Sequence, residues 1–353
     1  MWAGPAAIAA LAFSRYLGLP RQGTDMKRRE FLGLAGVTAA AFLPVRVYAQ
    51  KAPLRIGLLA SGAEGSLMSR SMIEALKQGL SEQALVDGRD YVIDARFAAG
   101  DYNRFPQMAQ ELAQAGARVI LVNTIASVRA AQNLKPSVPI VMLAINDPVG
   151  AGLVATLAKP GGVTTGMATL NEDLTPKILE FQRTLLPNAS TIAAIFNPAN
   201  PTNLTFLNDL RMAAEKFGMT VQPVELKSPS ALQPAFSLLA AKRPDVLQII
   251  SDSGTLDLVD QIAALALANQ IPSFASNTAF AGVGGLLAYG PSRVGLFKRS
   301  AYFVKRILDG TNASDLPVEQ PTRIELIVNL RTAKALGLTI PFHLQQLADE
   351  VIE

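Results

Sequence analysis

The sequence predicts an α/β protein of two Rossmann-like lobes with parallel sheets, joined by a hinge that the chain crosses three times. From Leu54 onward, short apolar runs alternate with stretches of helical periodicity, the pattern of parallel strands linked by right-handed crossovers. The rhythm restarts after Gly166, which gives two doubly wound units instead of one large sheet. The chain has 353 residues, half of them apolar, which is long for one ordinary domain and sufficient for two cores.

In the first unit, Leu54–Leu59 is an apolar run that ends at the polar turn Ser61-Gly62-Ala63-Glu64-Gly65. Met68, Met72, Leu76 and Leu80 then recur four residues apart, the stripe of an amphipathic helix. Asp87-Gly88 turns the chain into Tyr91–Phe97, which alternates as a half-buried strand. Pro106–Ala115 reads as helix, Arg118–Val122 as strand, Ile125–Gln132 as a short helix and Pro139–Ala144 as a strand running to Asn146-Asp147-Pro148.

In the second unit, Thr175-Pro176 looks like a helix opening, with Thr as N-cap and Pro at the first helical position. Strands follow at Thr191–Phe196, Thr220–Val224, Val246–Ile250 and Ser273–Ala275. Helices are expected at Leu204–Phe217, closed by Gly218, near Pro229–Ala241 and over Leu256–Asn269. The tail adds a strand at Gly285–Tyr289, a long amphipathic helix at Arg293–Asp309, a strand at Glu325–Val328 and a helix at Leu330–Leu336 between Asn329 and Gly337. Sharing these two strand–helix pieces between the lobes places residues 50–165 and 286–315 in the first lobe. Residues 166–285 and 316–353 then form the second, and 1–49 stand apart as upstream sequence and a leader.

That leader is expected over Met26–Gln50, with Met26 as the start of translation. Lys27, Arg28 and Arg29 precede the apolar stretch Phe31–Phe42, and Val47-Tyr48-Ala49 offers a small-x-small cleavage site. A stretch of twelve residues is too short to span a bilayer, which needs about 20. Arg28-Arg29-Glu30-Phe31-Leu32 resembles the twin-arginine export signal, so a periplasmic location is expected.

Charge and composition exclude several classes. The net charge is +4 and the pI about 9.3, but the first 49 residues hold six bases and two acids. The remainder therefore carries 26 of each and is neutral. A neutral body has no electrostatic footprint for nucleic acid. With no cysteine and His343 as the only histidine, disulfides, thiolate nucleophiles, a catalytic dyad and multi-histidine metal sites are excluded. No catalytic residues, metal or cofactor are expected.

In open parallel sheets ligands lie beyond the carboxyl ends of the strands. Those positions are Ser61, Gly62 and Glu64; Asn123 and Thr124; Asn146 and Asp147; Asn197 and Asn200; Ser251, Asp252 and Ser253; Ser276 and Asn277. Short hydrogen-bonding side chains suit the holding of a small polar solute and are poor at proton transfer, although the same residue types also make turns and caps. Gly161–Gly166 has Walker-like glycine spacing with Met167 where lysine is required, and Gly282-Val283-Gly284-Gly285 begins a GxGxxG pattern that Leu287 breaks. Both are read instead as crossings between lobes. Phe280 and Tyr289 could line a cleft or pack in a core.

Several motifs resemble the periplasmic substrate-binding proteins of ABC transporters related to the tryptophan/tyrosine-type binding proteins. They are Asp147-Pro148-Val149 with Gly152-Leu153-Val154, Leu157-Ala158-Lys159-Pro160-Gly161-Gly162, Asn197-Pro198 with Asn200-Pro201, Gly284-Gly285-Leu286 with Tyr289-Gly290, Leu316–Thr322, and Asn329-Leu330 with Thr332–Leu338. The resemblance implies a type I periplasmic-binding fold whose lobes close on a ligand by hinge motion. It implies delivery of that ligand to an ABC permease and ATPase, so that the protein docks at a membrane transporter without being embedded and acts as a monomer. By position it implies ligand contacts at Thr124 and Asp147 of the first lobe and Asn197, Asp252 and Asn277 of the second. Ser61 joins them from the strand-end rim. An amino acid or related carboxylate is the expected solute, aromatic or branched amino acids first. A sensory protein presenting its liganded form to a membrane receptor is the alternative. A transcriptional regulator on the same fold is disfavoured by the leader and by the lack of a basic helix-turn-helix.

Overall fold

The computed structural model describes residues 52–169, 171–198 and 200–353. The leader expected over Met26–Gln50 lies outside these, as does the side chain of Ser253. The described chain forms two α/β lobes.

The first lobe is a sheet of five parallel strands in the order β2-β1-β3-β4-β5. They are β1 (Leu54–Ala60), β2 (Tyr91–Phe97), β3 (Val119–Val122), β4 (Ile140–Asn146) and β5 (Thr164–Thr169). Three helices alternate with them: α1 (Leu67–Glu82), α2 (Phe105–Gln114) and α3 (Ile125–Gln132). The expected methionine–leucine stripe buries Met72, Leu76 and Leu80 of α1 on one sheet face. Phe105, Met108 and Leu112 of α2 cover the other with Val128 of α3. Each such side chain, fully withdrawn from water, contributes about 1.5–3 kcal/mol.

The second lobe carries seven strands in the order β12-β11-β10-β9-β8-β6-β7. These are β6 (Thr191–Phe196), β7 (Thr220–Glu225), β8 (Val246–Ile249), β9 (Ser273–Ala275), β10 (Leu287–Gly290), β11 (Glu325–Asn329) and β12 (Glu350–Ile352). All neighbouring pairs are parallel except β10 with β11. One face is packed by α4 (Asn171–Leu185) and α5 (Pro201–Lys216), together with the C-terminal α11 (Leu330–Ala335) and α12 (Phe342–Leu347). The other face is covered by α6 (Leu232–Lys242), α8 (Val259–Ala268) and the single turn α9 (Ala279–Gly282), while the short α7 (Ser253–Asp257) lies at the sheet's carboxyl end. The remaining helix, α10 (Arg293–Leu308), belongs with the first lobe, where Phe297, Ala301 and Val304 share a core with α1.

The lobe boundaries differ from the sequence-based expectation. Strand β5 carries the first sheet through Thr169, so residues 166–169 belong to the first lobe. Residues 286–315 are divided: Leu287–Gly290 pairs within the second sheet while α10 crosses back. Segment 316–319 stays with the first lobe, since Ala168 N–H donates to the Glu319 carbonyl (2.8 Å) and Glu319 N–H to that of Gly166 (2.9 Å). The chain does cross three times, after Thr169, after Gly290 and after Glu319. The crossings are only a few residues long, so no linker composition marks them. Both glycine segments expected to cross lie inside lobes instead: Gly161-Gly162 leads into β5, and Gly282–Gly285 turns α9 into β10.

Local corrections follow the same logic. Helix α4 opens at Asn171 and takes Pro176 into its interior, because the short crossing from β5 sets its start. Helix α5 opens at Asn200, whose side chain accepts from Thr202 N–H, with Pro201 at the first helical position. The helix expected over Leu256–Asn269 is two, broken at Leu258. Phe280 is fully buried, and Tyr289 packs edge-on against Phe181 at 5.2 Å, so both are core.

Two glycines permit close approaches. At Gly290, where the chain leaves the second sheet, a Cβ would stand 1.9 Å from the Ser276 carbonyl oxygen. At Gly79 on α1 it would stand 2.3 Å from the Lys298 carbonyl oxygen of α10. Gly79→Leu should force these helices apart and lower stability by about 1–3 kcal/mol, read as a fall of several degrees in the thermal midpoint. Gly162→Ala, with open space around the position, should leave the midpoint unchanged.

Candidate ligand-binding cleft

The carboxyl ends of both parallel sheets face a single cleft. From the first lobe come Ser61 after β1, Asn123 and Thr124 after β3, Asn146 and Asp147 at the end of β4, and Thr169 at the end of β5. From the second come Asn200, Thr202 and Phe206 at the opening of α5, and Ser251 and Asp252 after β8. An outer groove of about 670 Å³ runs between Tyr102, Thr124 and Asp147 on one side and Asn200, Thr205 and Phe206 on the other. Further in lie a cavity of about 80 Å³, which Asp252 and Arg293 line, and one of about 30 Å³ between Ser61, Met72, Asp257 and Arg293. The two inner cavities share Asn123, Leu256 and Arg293 as walls. Concave, mixed polar and apolar walls on this scale suit a small-molecule ligand.

Asp252 organises the second lobe's side. It caps α7, its Oδ1 accepting from Gly254 N–H (2.9 Å) and from Asn197 Nδ2 (2.8 Å). Its Oδ2 accepts from Asn200 Nδ2 (2.8 Å) and, across the cleft, from the Tyr102 hydroxyl (3.0 Å). Asp257 makes a second bridge between lobes, accepting from Ala63 N–H and the Ser66 hydroxyl, both at 2.8 Å. Burial pushes the Asp257 carboxyl above the ordinary aspartate value; these two hydrogen bonds oppose the shift, and the charge of Asp252 adds to it. Asp252 thus accepts from four donors and Asp257 from two, one on each oxygen. Among the described residues no group of three or more His, Cys, Asp or Glu is placed to hold a metal ion.

The six sequence-predicted contacts separate into two groups. Ser61, Thr124, Asp147 and Asp252 line the cleft. Ser61 is fully buried; its N–H donates to Asn123 Oδ1 (3.1 Å) while its hydroxyl has no partner. Thr124 caps α3 in a reciprocal box with Ser127. Asp147 is exposed at the outer groove with a left-handed backbone (φ 37°), accepting from Gly150 N–H at 2.8 Å. Asn197 and Asn277 do not line these cavities. Asn197 is buried behind Asp252, which it orients, and Asn277 is buried with neither amide atom hydrogen-bonded. Sequence reasoning missed Tyr102, Asp257, Phe206 and Arg293. Only Arg293 left a signal, as a cation at the first position of a helix, where acids are the norm.

Two Rossmann-like lobes, three crossings and a polar cleft at the sheets' carboxyl ends define a two-lobed solute-binding protein of the type I periplasmic-binding fold. Residues 67–352 match the family described as ABC transporter substrate binding protein, and the chain belongs to that family. It is 29% identical over 277 residues to a tyrosine-binding protein of Clostridioides difficile, covering 77% of this chain and 79% of that one. Its fold is similar to an ABC domain in complex with L-Trp from Streptococcus pneumonia, with a TM-score of 0.74, 24% identity, and coverage of 85% of this chain and 100% of that one. It is also similar to a ligand-free, open substrate-binding protein with adhesive properties from Clostridium difficile, with a TM-score of 0.59, 26% identity, and coverage of 85% and 99%.

Asp252→Ala should remove an acceptor shared by Asn197, Asn200, Gly254 and Tyr102. The unfolding free energy in urea is expected to fall by about 3 kcal/mol, whereas Asp147→Ala at the exposed rim, which loses one hydrogen bond and leaves Ala at positive φ, should lower it by only about 1 kcal/mol.

Proposed function

We propose that the protein captures an amino acid or related small carboxylate between its lobes and delivers it, from the periplasm, to the permease and ATPase of an ABC importer. The observation that carries this reading is the cleft itself, in which hydrogen-bonding side chains from both lobes face one another across space for a small molecule. Phe206 and Ile125, facing the same space, offer apolar contact for a side chain, and the relative described as tyrosine-binding makes aromatic amino acids the first candidates. The twin-arginine pattern at Arg28-Arg29 supports export. The neutral net charge of the chain from Gln50 onward fits a protein that docks on a membrane transporter without being drawn to lipid or nucleic acid.

The test is a thermal-shift screen against amino acids and small organic acids, on protein unfolded and refolded to strip any retained solute. A solute at 100 times its dissociation constant should stabilise the fold by about 2.7 kcal/mol, several degrees for a chain of this size. A shift confined to one chemical class identifies the solute. No shift across the library contradicts the reading.

A further inference from the structure

We propose that Arg293 and the Ser61 hydroxyl form the anchor for a carboxylate group of the bound solute, at the inner end of the cleft and at the pivot of the hinge. The inference rests on the reading of the cleft as a solute site and names the chemical group that this site requires.

Arg293 is the first residue of α10, immediately after the crossing at Gly290. It is largely withdrawn from water, and its Nε is fully buried with no hydrogen-bond partner. Among the described residues no carboxylate lies within 4.0 Å of it, and its one close charge-type contact is the face of Phe297, 5.6 Å away. Burial lowers its pKa to about 10, so the guanidinium stays charged at neutral pH. A half-buried cation whose Nε is shut off from water and unpaired is costly, and here the cost is compounded. Helix α10 is 16 residues long with no acid in its first turn, and its positive end repels the charge it carries. A propping arginine at a hinge would bond to backbone carbonyls, as Arg183 does with Pro187 and Ala189; Arg293 makes no such bond.

The acids nearby do not fill the gap. Asp257 lines the same small cavity, with one oxygen accepting from Ala63 N–H and the other from Ser66. Asp252 lines the adjoining cavity with its two oxygens shared among four donors. The small cavity does hold a second orphan: Ser61 Oγ, fully buried and unbonded. A forked guanidinium and a hydroxyl, both without acceptors, thus border one space of about 30 Å³. What completes them is a compact planar anion that accepts from both, and a carboxylate has that shape and charge. The backbone N–H groups at the start of α10 would add to its stabilisation.

The experiment titrates L-tyrosine and L-tryptophan, each beside its carboxamide, into the protein, Arg293→Lys and Arg293→Met by calorimetry, and melts all three without ligand. The proposal expects the carboxamides to bind about 100-fold more weakly than the acids. It expects Arg293→Met to lose about the same factor for the acids only, with Arg293→Lys between. Carboxamides that bind as well as the acids, or acids that bind Arg293→Met undiminished, overturn the anchor while leaving the cleft reading intact. If neither the acids nor any other solute binds the unsubstituted protein, the cleft reading fails and the anchor falls with it; where a solute does bind, the ligand-free melts give the second readout. Arg293→Met melting at or above the parent supports an uncompensated cation, and a midpoint several degrees lower shows that Arg293 has a structural partner and overturns the proposal.

Discussion

Three short passages of chain, at Thr169, Gly290 and Glu319, hold two parallel sheets so that their carboxyl ends point into one space. Loops after β1, β3, β4 and β8 then converge on that space, and they are polar there because they end strands and open helices. The crossings are tightly placed. Glu319 is paired to β5 through backbone hydrogen bonds on both sides and held by Arg299 through two more, at 2.7 and 2.8 Å. Gly290 passes so close to Ser276 that no side chain could replace its hydrogen. Rigid lobes on short pivots favour a hinge motion that opens and closes the cleft as a unit.

The chemistry of the cleft follows from how its polar groups are paired. Asp252 and Asp257 each accept from donors of the opposite lobe, so both tie the lobes together across the cleft. Ser61 and Arg293 remain unpaired at the inner end. Buried donors without acceptors destabilise the unliganded protein, and a ligand that supplies the acceptor recovers that free energy on binding. The same groups thereby discriminate against solutes lacking it.

Much of this was legible in the sequence, for identifiable reasons. Thr191–Phe196 was clear because a strand buried on both faces is a continuous apolar run, and α1 because burial of one face imposes a four-residue stripe. The strand-end rule pointed to Ser61, Thr124, Asp147 and Asp252, which line the cavities, since a parallel sheet delivers those positions to one side whatever the loops do. It failed to distinguish a lining residue from a supporting one: Asn197 and Asn277 sit at equivalent strand ends but are buried away from the cavities described. Which lobe a strand–helix piece joins was not legible either. Leu287–Gly290 and α10 read as one unit, yet the strand finds its edge in one sheet and the helix its apolar partner in the other. Tyr102 and Asp257 act through contacts more than 140 residues distant in the chain, which no local pattern reports.

Membership of the ABC transporter substrate binding protein family accords with a site built to hold a small solute. The central claim is that one solute is held by both lobes at once, and hydrogen–deuterium exchange with and without the solute that gives the largest thermal shift tests it most directly. The account predicts slowed exchange together at 61–66 and 123–127 of the first lobe, at 200–206 and 251–257 of the second, and at the start of α10. Protection confined to one lobe, or to a surface away from these loops, would contradict it.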